Sequence, residues 1–226
     1  MIKCITFDLD DTLWKIEPVI TKAEIFFQKW LDANYPEVSE KFNIESLRKL
    51  MKQTSLENPE IKHDLTKIRI KAYSHLKDLY RLPNDMPLKA FNYFMEHRNN
   101  VILFDSVEDT LSELKKKYLL GTITNGNASL KKIGIDKYFG FEIKASEIGY
   151  MKPKPEIFTA AINAAKCNPE EMIHIGDSYD KDIIGAKSVN MNYIWINHND
   201  TIEKKVNEKH VVRNFFEIRK LLDKIG

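Results

Sequence analysis

The sequence contains only two cysteines, Cys4 and Cys167. They form neither a closely spaced pair nor part of a zinc-binding pattern. A disulfide framework and a structural zinc site are therefore not expected. We predict two buried or half-buried thiols in a reducing compartment, where cysteines stay unpaired.

The sequence also lacks an excess of charge of either sign. Its 35 basic residues are balanced by 33 acidic ones, and the net charge is +2. This balance provides no electrostatic basis for binding nucleic acid or a membrane surface, so we expect neither partner. A bound anion would have to be held by a local arrangement of residues.

Long hydrophobic runs are absent as well, since no segment approaches the length that spans a bilayer. Residues 1–14 include acids where a signal peptide needs an unbroken apolar segment. The expected location of the protein is therefore the cytoplasm.

The first 98 residues change character after a single strand. Residues 3–9 form a short apolar run that is typical of a buried parallel strand. From about residue 16 the apolar residues are spaced as in amphipathic helices, with prolines between or beside the runs. Helices are predicted at 19–34, 44–53, 62–80 and 90–98.

From about residue 101, predicted helices alternate with predicted strands. The helices are expected at 106–117, 127–133, 155–166, 180–189 and 213–224. The strands are expected at 118–124, 141–145, 172–176 and 192–196. Such alternation indicates a parallel sheet with helices on both faces. We predict an α/β core that is interrupted, after its first strand, by an all-helical insertion.

Carboxylates follow two of the predicted strands, and ligands of such sheets bind beyond the carboxyl ends of the strands. Asp8 and Asp10 come after the first strand, and in extended backbone their side chains lean the same way. Asp177 follows the strand at 172–176. Adjacent carboxylates repel unless a cation lies between them. Three hard oxygen ligands without His or Cys favour magnesium over zinc.

A hydroxyl and a cation follow other elements of the core. Thr124 and the backbone amides after it can bind phosphate oxygens, and Lys152 can supply positive charge to a phosphoryl-transfer transition state. A carboxylate can attack phosphorus to form an acyl phosphate that water then cleaves. Each residue alone could be a turn acid, a strand-end hydroxyl or a solvated lysine, but their ordered combination argues against those interpretations.

Four segments carry these side chains: FDLDDTLW, TITNGN, GYMKPKPEIF and HIGDSYDKDIIGAKSVNM. They resemble the four motifs of the haloacid dehalogenase-like hydrolase superfamily. The resemblance implies a Rossmann-like parallel sheet with helices on both faces, formed by residues 1–15 and 99–226. It also implies that residues 16–98 are an inserted helical cap. Within the superfamily, TNGN and the segment FNYFMEHRNNVIL resemble a bacterial group that includes a 5-amino-6-(5-phospho-D-ribitylamino)uracil and flavin mononucleotide phosphatase.

The resemblance implies catalytic roles for Asp8, Asp10, Thr124 and Lys152, and phosphate binding by Thr124, Asn125 and Lys152. Asp8 resembles the nucleophile, and Asp10 resembles the general acid and base. Thr124 and the amide of Asn125 resemble the phosphate-binding element. Lys152 resembles the cation that bridges the nucleophile and the phosphate.

The resemblance also implies a magnesium site. Its protein ligands would be the carboxylate of Asp8, the backbone carbonyl of Asp10 and the carboxylate of Asp177. Asp182 resembles an acid that supports this site without binding the metal. Thr12 matches the first motif, but its expected role is confined to a local turn.

Two further residues receive mainly structural interpretations. His174 is interpreted as a residue of the core strand that precedes Asp177. Trp14 directly follows the first motif and is interpreted as a packing residue, with substrate contact as the alternative.

We therefore predict an enzyme, a magnesium-dependent phosphatase that hydrolyses a small phosphomonoester through a phospho-aspartyl intermediate on Asp8. The expected partner is a small phosphorylated metabolite. Three alternatives stay open: a phosphomutase, a haloacid dehalogenase and a non-catalytic protein that binds a phosphate ligand. A dehalogenase of this fold also uses an aspartate nucleophile, but it needs no magnesium and lacks an acid at the position of Asp10.

Overall fold

The computed structural model describes residues 1–198 and 210–225, with the side chains described as far as residue 222. The chain divides into two compact units. An α/β unit comprises Met1–Lys15, Ile102–Gly126 and Leu130–Gly226, and a helical unit comprises Ile16–Val101 and Asn127–Ser129.

The α/β unit contains a six-stranded sheet in the order β3-β2-β1-β4-β5-β6. All neighbouring strands are parallel. The strands are β1 (Cys4–Phe7), β2 (Leu119–Thr124), β3 (Phe141–Lys144), β4 (Met172–Gly176), β5 (Asn192–Ile196) and β6 (Val211–Val212). Every residue of β1 and β4 is buried, as expected for central strands that are covered on both faces. The predicted α/β fold with a parallel sheet is confirmed.

The helices of the α/β unit lie between these strands in the chain, except for the last helix, which follows β6. They are α6 (Val107–Lys115), α7 (Leu130–Ile133), α8 (Ala145–Ile148), α9 (Pro155–Ala165), α10 (Ile184–Ser188) and α11 (Glu217–Ile225). Helix α9 buries Ile157, Phe158 and Ala161 in a core shared with the sheet. It begins with Pro155, which suits a first-turn position because no intrahelical donor is needed there.

Some predicted bounds in this unit were wrong. The helix expected at 180–189 is divided into a π-helical turn, Tyr179–Ile183, and the short helix α10. The helix expected at 213–224 begins only at Glu217, whose own carboxylate accepts hydrogen bonds from Arg213 and Asn214. The two-residue strand β6 is too short to produce a pattern in the sequence.

The helical unit contains no strand in the described structure. Its helices are α1 (Ile16–Asn34), α2 (Pro36–Ser39), α3 (Ile44–Glu57), α4 (Leu65–Tyr80) and α5 (Met86–Arg98). Phe27, Leu31, Tyr73, Leu76 and Phe94 are among the buried residues of its own hydrophobic core. The unit therefore has an apolar centre separate from that of the sheet.

Two helix starts in this unit differ from those expected from the apolar spacing, one because of a capping carboxylate and one because of a proline in the first turn. The helix expected at 62–80 begins at Leu65, because the Asp64 carboxylate accepts the Lys67 backbone N–H at 2.9 Å. The helix expected at 90–98 begins earlier, at Met86, since Pro87 in its first turn needs no hydrogen-bond acceptor.

Substitution of the α4 cap tests this assignment. Asp64→Ala is expected to lower the free energy of unfolding by about 1 kcal/mol, because a helix donor loses its acceptor. Asp64→Asn keeps an acceptor oxygen and is expected to cost much less. Urea unfolding followed by circular dichroism would measure both. Equal losses would instead assign the effect to the ion pair of Asp64 with Lys67, at 3.5 Å.

Candidate active site

The chain folds back on itself directly after β1. The backbone N–H of Leu13 donates to the carbonyl of Leu9 at 2.8 Å, and Asp11 adopts a left-handed conformation with φ of 61°. This turn brings the hydroxyl of Thr12 to 3.3 Å from the Asp8 carboxylate and to 3.3 Å from that of Asp177. Thr12 thus bridges two acids of the site, a role beyond the local turn expected from the sequence.

A buried lysine ammonium lies between two carboxylates. Lys152 Nζ is 2.5 Å from Asp8 Oδ1 and 2.6 Å from Asp182 Oδ1. Only 4% of Lys152 and 1% of Asp182 are exposed. The structure therefore brings the predicted nucleophile, the predicted cation and the predicted supporting acid into direct contact.

The acids of the site outnumber its cation. Burial raises the pKa of Asp8, an effect to which Asp182 and Asp177 add and which Lys152 opposes. Burial raises the pKa of Asp177 to about 6. Burial alone would lower the pKa of Lys152, but Asp182 and Asp8 hold it above its ordinary value. The site thus carries an ammonium and an excess of carboxylates that a further cation would stabilise.

The donor set fits a hard divalent cation. Asp8, Asp177 and Asp182 each offer a carboxylate oxygen, and these oxygens lie within 4.8 Å of one another. Oxygen ligands of this kind suit magnesium. Asp182 has more protein contacts than the other two: Lys152 and His174 lie at Oδ1 and the Ser178 N–H at Oδ2, all within 3.0 Å. Asp8 has one such close contact, with Lys152, and a longer one of 3.3 Å with Thr12.

Asp10 lies outside this carboxylate cluster. Its Oδ1 accepts a hydrogen bond from the indole N–H of Trp14 at 2.9 Å. Trp14 is fully buried, so the ring that holds Asp10 is itself fixed by packing. Trp14 is thus a packing residue, as interpreted from the sequence, and in addition it orients the Asp10 carboxylate.

The turn after β2 is connected to the loop that carries Lys152. The Asn125 side chain donates to the Lys152 carbonyl at 3.1 Å and accepts from the Lys152 N–H at 2.8 Å. Thr124 Oγ1 accepts the Gly126 N–H at 2.9 Å, which leaves the hydroxyl hydrogen to be donated to another group. Sequence reasoning assigned Asn125 only a phosphate-binding amide and missed this pairing.

These features define a class of protein. A model of the haloacid dehalogenase-like hydrolase family matches residues 2–190. The chain belongs to this family, as its motifs predicted. Within the described residues, none of the helices combines the length and the apolar character needed to cross a membrane.

Several individual proteins and solved structures are similar to this chain. The 5-amino-6-(5-phospho-D-ribitylamino)uracil phosphatase YigB of Escherichia coli is 31% identical over 86% of this chain and 83% of its own. The glyceraldehyde 3-phosphate phosphatase of Methanothermobacter thermautotrophicus is 26% identical over 98% of this chain and 100% of its own. A 2-haloacid dehalogenase structure from Pseudomonas syringae pv. tomato covers 100% of both chains, with 31% identity and a TM-score of 0.93. The family and its phosphatase members support the prediction of a phosphoric monoester hydrolase.

The excess of carboxylates predicts a pH-dependent effect of Asp177→Asn on stability. The folded state raises the pKa of Asp177 from 3.8 to about 6. Between these values the folded protein holds a proton that the unfolded chain releases, so this carboxyl lowers stability as the pH rises through that window. In chelator, Asp177→Asn is expected to raise the free energy of unfolding by about 2 kcal/mol above pH 6 and to have little effect below pH 4.

Unfolding in urea at several pH values would measure this difference. Asp180→Asn removes an exposed acid from the π-helical turn that follows Asp177 and serves as the control. A pH-independent effect of Asp177→Asn, or an equal effect in both variants, would contradict the argument.

Proposed function

We propose that the protein is a magnesium-dependent phosphatase that hydrolyses a small phosphomonoester through a phospho-aspartyl intermediate on Asp8. The observation that carries this proposal is the buried ammonium of Lys152 in contact with Asp8 Oδ1 at 2.5 Å. In this proposal the α/β unit is the catalytic core and the helical unit is the cap.

Asp8 is held for attack by two contacts. Lys152 binds Oδ1, and the Thr12 hydroxyl lies 3.3 Å from Oδ2. Both contacts restrict rotation of the carboxylate, which reduces the loss of freedom on reaching the transition state. One Asp8 oxygen forms a bond to phosphorus while the bond from phosphorus to the ester oxygen breaks in line.

Asp10 moves the protons of both half-reactions. It first donates a proton to the departing ester oxygen, which leaves as an alcohol. It then accepts a proton from the water that attacks phosphorus, the bond from phosphorus to Asp8 breaks, and inorganic phosphate and free Asp8 result. The indole N–H of Trp14 supports this role by holding one oxygen of Asp10 in place.

The phosphate would be bound by groups on two loops. The Thr124 hydroxyl and the Asn125 backbone N–H can donate to its oxygens, and Lys152 can contact it beside Asp8. Because the Asn125 side chain holds the backbone of Lys152 at both its N–H and its carbonyl, the two loops are fixed with respect to each other.

Magnesium would be held by the carboxylates of Asp8 and Asp177 and by the backbone carbonyl of Asp10. When bound, it neutralises charge on the phosphate and polarises a phosphoryl oxygen. Asp182 stays outside this set because its oxygens are engaged by Lys152, His174 and Ser178. It holds Lys152 instead.

The substrate is proposed to be a small phosphorylated metabolite. The two phosphatase relatives are named for unlike compounds, a ribitylaminouracil phosphate and a triose phosphate. A substrate panel should therefore include both, together with flavin mononucleotide, nucleotides and other sugar phosphates. Phosphate release from this panel, with magnesium and with chelator, tests the proposal.

A haloacid dehalogenase is the second candidate, because one solved structure with 31% identity carries that description. Halide leaves without a proton, so this chemistry gives no general-acid task to Asp10. Halide release from 2-haloacids in chelator would support the dehalogenase and oppose the phosphatase. A phosphomutase would isomerise a sugar phosphate without free phosphate, and a binding protein would turn over neither class of compound.

Asp8→Asn tests the nucleophile. We expect the rate of phosphate release to fall by at least about 10³-fold, because an amide neither attacks phosphorus nor balances the charge of Lys152. Asp11→Asn changes an acid of the same loop that the mechanism does not use, and it is expected to retain activity. Mass spectrometry must exclude deamidation of the variant back to Asp. Wild-type turnover by intact Asp8→Asn protein would disprove the aspartyl intermediate.

Trp14→Phe tests the orientation of Asp10. It removes the indole N–H and keeps an aromatic ring, and we expect kcat to fall about 10-fold with little change in KM. A parallel thermal unfolding curve separates this effect from loss of packing. An unchanged kcat would show that Asp10 needs no partner at this position.

A further inference from the structure

His174 lies on the central strand β4 and is fully buried. It is paired in register with Thr6 on β1. Its Nδ1 is 2.9 Å from the Thr6 hydroxyl, and its Nε2 is 3.0 Å from Asp182 Oδ1. The proposed reaction uses neither His174 nor Thr6, although both are connected to the site through Asp182.

The hydrogen-bond pattern determines the tautomer of His174. Burial would raise the pKa of Asp182, but Lys152 and His174 hold it below its ordinary value, so this carboxylate only accepts hydrogen bonds. The proton must therefore be on Nε2, since an unprotonated Nε2 would place a lone pair against a carboxylate oxygen. Burial lowers the pKa of His174, which keeps the ring neutral.

A neutral ring with a proton on Nε2 has an acceptor at Nδ1. The Thr6 hydroxyl can donate to this nitrogen at 2.9 Å. The other acceptor within its reach, the Ile173 carbonyl, is farther away, at 3.4 Å. The ring is also fixed by packing, because Phe158 contacts it edge-on, with the ring centroids 5.3 Å apart. His174 thus has one orientation and one protonation pattern that satisfy all of its contacts.

Asp182 is held tightly by the groups around it. Its Oδ2 accepts the Ser178 N–H at 3.0 Å, and its Oδ1 contacts both His174 and Lys152. A Cβ at Gly176 would lie 2.3 Å from Asp182 Cγ, so only glycine lets the carboxylate lie against β4. Of the two groups that contact Oδ1, His174 is the one that lies on a strand of the sheet.

We propose that His174 is a positioning residue: its neutral imidazole, held by Thr6, fixes Asp182, and Asp182 in turn holds the Lys152 ammonium at Asp8. The kinetic part of this inference rests on the proposed phosphatase function. If His174 only filled space in the core, other side chains of similar volume would serve equally well.

A matched pair of amide variants separates the two roles. In His174→Gln the amide nitrogen reaches the place of Nε2 and can still donate to Asp182. In His174→Asn the same amide is one methylene shorter and reaches only the place of Nδ1, beside Thr6. We expect kcat to fall about 10-fold or more in His174→Asn and to recover to within about 3-fold of wild type in His174→Gln.

A second pair examines Thr6. Thr6→Val removes the hydroxyl that holds Nδ1 and is expected to lower kcat about 3-fold. Thr122→Val is the control on the neighbouring strand β2, because the Thr122 hydroxyl is buried and has no hydrogen-bond partner within the described part of the chain. We expect Thr122→Val to leave kcat unchanged. Equal kcat in His174→Gln and His174→Asn, or equal effects of the two valine variants, would overturn the proposal.

Nitrogen NMR tests the network without any turnover. In the wild-type protein labelled with ¹⁵N-histidine, His174 is expected to give the signals of a neutral ring with its proton on Nε2. In protein labelled with ¹⁵N-lysine, the Lys152 ammonium is expected to be protected from solvent exchange in wild type and His174→Gln but not in His174→Asn. A proton on Nδ1, or equal protection in both variants, would refute the network. Absence of phosphatase activity with the expected spectra would refute only the proposed function.

Discussion

The buried ammonium of Lys152, held between two carboxylates, is the interaction on which the rest of the site depends. Charges removed from water in this way are stable only when paired and hydrogen-bonded, and removal of one partner typically costs about 3–5 kcal/mol. The groups around Lys152 hold both its backbone and its side chain. Asn125 binds its backbone at two points, and Asp8 and Asp182 bind its side chain.

The charge of the site also constrains the proposed substrate. Asp8, Asp177 and Asp182 lie close together, and the ammonium of Lys152 does not balance all of their negative charge. A phosphate group would add more negative charge to this region. Under the proposed function, the phosphate therefore binds favourably only together with a divalent cation, which explains in electrostatic terms why the activity is expected to require magnesium.

The sequence was sufficient for the fold class but not for every element or for the contacts that complete the site. The strands at 172–176 and 192–196 were predicted with the bounds that the structure has, because each is a short, largely apolar run that ends before a polar residue. The pairing of Asn125 with Lys152 and the bridge from Thr12 to Asp177 were missed. Their partners lie far apart in the chain, and the order of the strands brings them together, which local spacing does not reveal.

Overall similarity does not decide which reaction a chain of this family performs. A phosphatase and a structure described as a dehalogenase are both 31% identical to this protein. The difference between the reactions lies in the leaving group, since an alkoxide needs a proton and a halide does not. Under the proposed function, a carboxylic acid that can supply this proton is therefore informative. Asp10 is proposed to fill that role, and the buried indole of Trp14 donates to its Oδ1 at 2.9 Å. This pair is therefore the feature that favours the proposed phosphatase over the dehalogenase.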